Sequence, residues 1–260
     1  AAAATAVKLG KEVVNAYADY EQLVGGVDTL FKGSSQKLQS YASNAYKTAG
    51  LSANDYMETV TGFSASLIQS LGGDTDKSVK YADMAITDMA DNANKMGTDM
   101  SLIQNAYQGF AKQNYTMLDN LKLGYGGTKE EMQRLLSDAE KISGVKYDIS
   151  SYADVVDAIH VMQESMDIAG TTAKEAEGTI SGSVNALKSS VTNLVVGFGD
   201  ANADLGELCE NVVTAFQTVL ENISPIVENL ISALPTVITT LLESAGEMLP
   251  NSCRIVCTGA

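Results

Sequence analysis

The apolar residues of this 260-residue chain recur every three or four positions, and glycine interrupts the pattern at short intervals. Side chains three and four apart share one side of an α-helix, so the spacing predicts helices that each bury one face. Met57, Val60, Phe63, Leu67, Ile68 and Leu71 share a face, and so do Tyr81, Met84, Ala85, Met89 and Met96. Leu102, Ile103, Ala106, Tyr107 and Phe110 make a third stripe. Met132, Leu135, Leu136, Ala139 and Ile142 make a fourth; Val155, Val156, Ile159, Met162 and Met166 a fifth. Period-two alternation is nearly absent, and Val145 to Ile149 is too short to found a sheet. Three prolines leave room for long helices, and alanine, methionine and leucine supply most of the apolar mass.

Helix ends are marked by local chemistry. A Ser or Thr followed three residues later by an acid closes the first turn from both sides. Thr128 with Glu131 and Thr172 with Glu175 fit this box fully; Ser52 with Asp55 and Ser151 with Asp154 fit it with Asp in place of Glu. Asp74 and Asp99 read as further N-caps. Gly50, Gly72-Gly73, Gly97, Gly124 to Gly127, Gly144 and Gly170 read as stops.

The second half changes character. Ile180, Val184, Leu187, Val191, Leu194 and Phe198 recur at intervals of four and three, as do Phe216, Val219, Ile223, Ile226 and Leu230. This alternation averages 3.5 residues, the coiled-coil period, although an ordinary amphipathic helix gives it too over so short a run. These eleven residues are the candidate helix–helix or oligomer contacts. Pro225 and Pro235 are expected to kink or restart the helix. The fold expected is all-α: a bundle of short helices followed by longer amphipathic, coiled-coil-like helices. It divides into an N-terminal helix over 1–32, interrupted near Gly25-Gly26, a compact bundle over 33–148, long amphipathic helices over 149–250, and an atypical tail over 251–260.

Charge and residue supply exclude several functions. The net charge is −15, from 32 acids against 17 bases. Specific nucleic-acid binding is not expected, because that affinity rests on Lys and Arg neutralising phosphates. After Lys188 the one base is Arg254, against eight acids, so anionic lipid is repelled as well. Cys209, Cys253 and Cys257 cannot form a full disulfide framework, and His160 is the lone histidine, so metal ligands are short. The loop Gly124-Tyr-Gly-Gly-Thr-Lys129 lacks the order and the preceding strand of a phosphate loop and reads as a turn. His160, one position off its stripe, reads as a boundary residue. No acid lies in an aromatic-rich neighbourhood of the kind a sugar cleft needs. The methionines Met84, Met89, Met96, Met100, Met117 and Met132 read as core filling. No catalytic residue, cofactor or metal site is expected. There is no secretory signal. The longest apolar run, Asn229 to Leu242, contains Pro235, so a conventional spanning helix is not supported.

Several stretches carry a resemblance. Ala45-Tyr-Lys-Thr-Ala-Gly-Leu-Ser-Ala-Asn-Asp-Tyr-Met57 and Gly62-Phe-Ser-Ala-Ser-Leu-Ile-Gln-Ser-Leu-Gly-Gly73 are similar to the core region of tail tape measure proteins, from tailed phages and prophages of Gram-positive bacteria. So are Ala82 to Gly97, Gln104 to Gly127 and Ala139 to Gly144, with a fading match through Gly178 to Val184. The resemblance implies a structural virion protein that occupies the tail tube, sets its length during assembly and leaves ahead of DNA. It implies several copies side by side, with tail tube and tail-tip proteins, tail assembly chaperones and, at infection, the host envelope as partners. The location implied is the virion tail, and the host cytoplasm during assembly. As a single helix the whole chain reaches only about 390 Å. That reach, the start without methionine and the departure of Asn251 to Ala260 from the family pattern are expected of a piece of a longer protein. The competing readings are a membrane-active or pore-forming protein using the helices of Val212 to Leu249, and a wall hydrolase.

Overall fold

The computed structural model describes residues 2–248; the expected tail over 251–260, with Cys253, Arg254 and Cys257, lies outside them. The helices are α1 (Ala2–Phe31), α2 (Ser35–Thr48), α3 (Ala53–Thr61), α4 (Ser64–Ser70), α5 (Thr75–Met96), α6 (Met100–Phe110), α7 (Lys129–Ser143), α8 (Tyr152–Ser165), α9 (Thr171–Gly178), α10 (Ile180–Gly197) and α11 (Leu205–Met248). Short 3₁₀ turns follow α1 and precede α7. No strand occurs among the described residues, and the fold is all-α as expected. Val145 to Asp148 has no regular structure and Ile149 lies in a turn.

Local chemistry sets most of the ends. Ser52, Asp74, Asp99, Thr128 and Ser151 each accept a first-turn N–H on a side-chain oxygen. At α7 the box is modified: Thr128 Oγ1 accepts the Glu131 N–H at 3.2 Å, while the Glu131 carboxylate accepts from the Gly126 N–H at 3.0 Å. The glycine loop is therefore tied back onto the helix that follows it. Thr128→Ala is expected to cost about 1 kcal/mol, read as a lower urea midpoint. Gly97 (φ 62°) and Gly144 (φ 73°) end α5 and α7 in the left-handed region, where a side chain is strained.

Three expectations about ends are corrected. The stripe from Met57 to Leu71 is split between α3 and α4 at Gly62, and both pieces still bury their share of it. α1 runs through Gly25-Gly26 without a break, because fully buried Val27 and Phe31 anchor its last turn and outweigh the roughly 1 kcal/mol each helical glycine costs. Thr172 does not cap α9. The helix begins at Thr171 after Gly170, and its free N–H groups are satisfied from another helix, as described below.

α5 is the axis of the bundle, in contact with α1, α2, α3, α4, α6, α8 and α9. Val79, Ala82, Ala85, Ile86 and Met89 are fully buried along it. One continuous core extends from Val27 to Ile168. It includes Val155, Val156 and Ile159 of α8, so it passes the division expected at 148. Tyr115 Oη donates to the Ile149 carbonyl at 2.8 Å, and the Ala153 N–H donates to Ser70 Oγ at 3.1 Å, which pull this helix into the bundle. The six methionines pack in or against the core. Leu102, Ile142 and Met166, at stripe ends, are exposed.

Candidate interaction surface

Beyond Ile168 the chain forms an arm, α9 to α11, and polar pins rather than a large apolar core attach it. Asp91, fully buried on α5, accepts the N–H groups of Gly170 at 2.6 Å and Thr172 at 2.7 Å. A carboxylate from the bundle thus does for α9 what Thr172 was expected to do. Asn94 Nδ2 donates to Thr172 Oγ1 at 2.8 Å. α10 is pinned by Asn193 Oδ1, which accepts the Ala53 N–H at 2.8 Å, and by Ser189 Oγ, which donates to the Gly50 carbonyl at 2.9 Å. The buried apolar residues at the arm's junction are few: Tyr46, Ala176, Ala186 and Val196.

α10 turns an unexpected face inward. Ser183, Ala186, Ser189, Ser190, Asn193, Val196 and Gly197 are buried, whereas Ile180, Leu187 and Leu194 are half-buried and Val184, Val191 and Phe198 are exposed. Small side chains let α10 approach closely: a Cβ on Gly182 would overlap the Glu175 carbonyl of α9. Ser183 and Ser190 return their hydroxyls to carbonyls of their own helix, so burying them leaves no donor unpaired.

On α11, Val219 is buried and Ile223 half-buried, but Phe216, Ile226 and Leu230 are 49%, 54% and 59% exposed. Of the eleven candidate contacts, then, one is buried inside the chain, four are half-buried and six are open to solvent. From Ser224 to Thr240 every described side chain is exposed. The open face also contains Val213, Leu220, Val227 and Leu234, which the 216–230 stripe omits. Their seven-residue spacing, with Phe216, Ile223 and Leu230 three positions after the first three of them, is the signal that could have found them. The helix does not restart at either proline. Both are on exposed positions, so the carbonyls they leave unpaired remain in water. At 44 residues α11 extends about 66 Å. By length and composition its segment Leu205–Thr240 is long and apolar enough to cross a membrane, its most apolar 18-residue window having a mean hydropathy of 1.2. This corrects the expectation drawn from uncharged runs, since averaging tolerates an isolated acid such as Glu228.

One buried ionisable pair joins α5 to α8. His160 Nδ1 lies 2.9 Å and 3.1 Å from the two oxygens of Asp88, which is almost fully buried between α5 and α8. Burial drives the Asp88 carboxyl up to about 6, outweighing its partner, while the Asp88 hydrogen bond raises His160. The folded chain therefore holds an Asp88 proton that the unfolded chain has released between pH 3.8 and about 6. The His160 contribution is complete below pH 6.5 and is lost as pH rises through its folded value. Both signs favour the fold on the acid side. The carboxylates of Asp74, Asp99, Glu131 and Asp148 are lowered by their hydrogen bonds and lose their contribution only at still lower pH. Urea midpoints are expected to rise from pH 8 to pH 5 by on the order of 1 kcal/mol, and Asp88→Asn should flatten that rise.

No group of three or more His, Cys, Asp or Glu that could hold a metal occurs among the described residues. A crevice of about 390 Å³ beside α8 is lined by neutral groups, among them Ser66, Gln69, Gln113 and Ser150. Compared with family models, curated proteins and solved structures, the chain matches none.

Proposed function

We propose that this all-α chain is a segment of a tail tape measure protein, a structural component of the phage tail that sets tube length and is released ahead of DNA. The observation that carries the reading is the open apolar face of α11. It is a heptad-spaced stripe on a 44-residue helix, and no part of the described chain covers it. Such a face is satisfied sideways by another helix, as parallel copies in a narrow tube require. The motifs between 45 and 144, similar to the tape measure core region, point the same way. Self-association is its first consequence, with tube, tail-tip and chaperone proteins as further partners. Immunogold electron microscopy of intact tails is expected to place the chain in the tube; label confined to the culture supernatant overturns the reading. Cell-wall zymography is expected to give a blank lane.

A second reading is favoured by one feature, the length and hydropathy of Leu205–Thr240. In it, α11 inserts into a bilayer. Dye leakage from neutral vesicles on adding the protein at pH 7 would support it, and intact vesicles would remove it. Four acids in this segment and no base weigh against anionic membranes.

A further inference from the structure

We propose that the α10–α11 hairpin is a closed form of one continuous rod, and that association with a second copy of this chain opens it. The inference rests on the self-association proposed above and adds a conformational step to it.

The first observation is phase. The alternation of four and three that links Ile180 to Phe198 continues through the linker: its next positions are Ala201, Leu205, Leu208, Val212, Ala215 and Val219. α10 ends at Gly197 and α11 starts at Leu205, so the linker from Phe198 to Asp204 is seven residues, one heptad. A loop whose only task is to reverse the chain has no reason to keep the seam in register. Made helical, residues 180–219 form a rod of about 60 Å with one unbroken apolar edge.

The second observation is the linker's backbone. None of its residues has a positive φ, unlike the glycines that end α5 and α7. It is built from turns that continue the helical sense: Gly199 N–H to the Val196 carbonyl, Asp200 N–H to Gly197 and Ala203 N–H to Asp200. Straightening it needs no residue to leave a left-handed conformation.

The third observation is what closes the hairpin: α10 and α11 pair extensively, and a polar clasp ties α11 to the end of α9. Asn222 Nδ2 donates to the carbonyls of Glu177 at 3.2 Å and Thr179 at 3.1 Å. Between α11 and the bundle an unfilled cleft of about 260 Å³ remains, bordered by Tyr46, Ala186 and Ala215. Leu208, Val212, Ala215 and Val219 are the residues that α11 turns inward, and they are the same residues the rod would present to another copy. Opening therefore exchanges intramolecular for intermolecular burial of one set of side chains, the logic of a domain swap. The outward face of Val213, Phe216, Leu220 and Val227 remains the further contact between copies proposed above.

The test uses the full chain with its three cysteines changed to serine and spin labels at Lys188→Cys and Glu210→Cys, both exposed positions. Circular dichroism checks that the labelled chain keeps its helix content. Dilute protein should give a distance below about 20 Å, as for neighbouring helices. At concentrations where sedimentation shows association, a second population near 33 Å is expected, from 22 residues at helical rise. A disulfide between Gly197→Cys and Leu208→Cys, whose side chains would meet in the hairpin, should weaken association at least tenfold when oxidised and restore it when reduced. Associated protein showing only the short distance, or a disulfide without effect on association, overturns the opening and leaves self-association standing. A strict monomer at every concentration overturns both.

Discussion

Replacing Phe216 and Leu230 together by glutamate is expected to weaken self-association by at least a hundredfold while leaving the melting temperature of the dilute protein unchanged. Both side chains are about half exposed or more, so their loss removes little internal packing. Surface changes of this kind ordinarily alter stability by no more than about 0.5 kcal/mol. In an associated form the same positions lie in a seam, where a charge is stripped of water without a partner and costs several kcal/mol. The acids of α11 sharpen the contrast, since Glu207, Glu210, Glu221 and Glu228 leave no base on Leu205–Thr240 to receive a new carboxylate. Val219→Glu is the control. That residue is 7% exposed and turned inward, so its replacement should loosen the arm in the monomer itself. Sedimentation velocity across concentration separates the outcomes. Unchanged association in the double variant would remove the outward face from the interface.

Phe110→Ala is expected to lower stability by about 3–5 kcal/mol without touching the arm. The ring is buried beside Tyr107 and Tyr115, with centroids 5.8 Å and 6.0 Å away. Removing it takes away these contacts and leaves space beside the crevice that the ring lines next to α8. For a chain of this size each kcal/mol moves the midpoint by about 2–4 °C, so a drop near 10 °C is the expected reading by calorimetry. A drop under 3 °C would mean that the core around α6 collapses more freely than its burial indicates.

The two variants divide the molecule as its packing does. Residues 27–168 share one core and should melt together. The arm is held by Asp91, Asn94, Ser189 and Asn193 acting on backbone and side-chain groups at helix starts and ends. Each such bond contributes only about 0.5–1.5 kcal/mol net, or up to about 3 where a charge takes part. That is enough to position α10, and little enough for the arm to respond to a partner.

Much of this architecture was legible before any coordinates. Ser52, Asp74, Asp99, Thr128 and Ser151 mark helix starts, and Gly97 and Gly144 mark ends, because a cap is settled by atoms within four residues of it. The buried faces of α6 to α8 were legible too, since each has a single apolar side to hide; α5, packed on several sides, also buries Val79, Ala82 and Ile86, which its stripe omitted. What the amino-acid order determined, then, is an all-α chain, most of its helix boundaries and the inward faces of the bundle. The tertiary structure alone decided the rest. Asp91 supplies the start of α9 from 79 and 81 residues away, a separation no local pattern encodes. α10 carries large apolar groups on one side and serine, alanine and glycine on another. Which side goes inward depends on whether neighbouring backbones come close enough to reward small residues, and here they do. The stripe of Ile180 to Phe198, read alone, looks like a core face; packed against α2 and α3, it becomes the part left over for something else to cover.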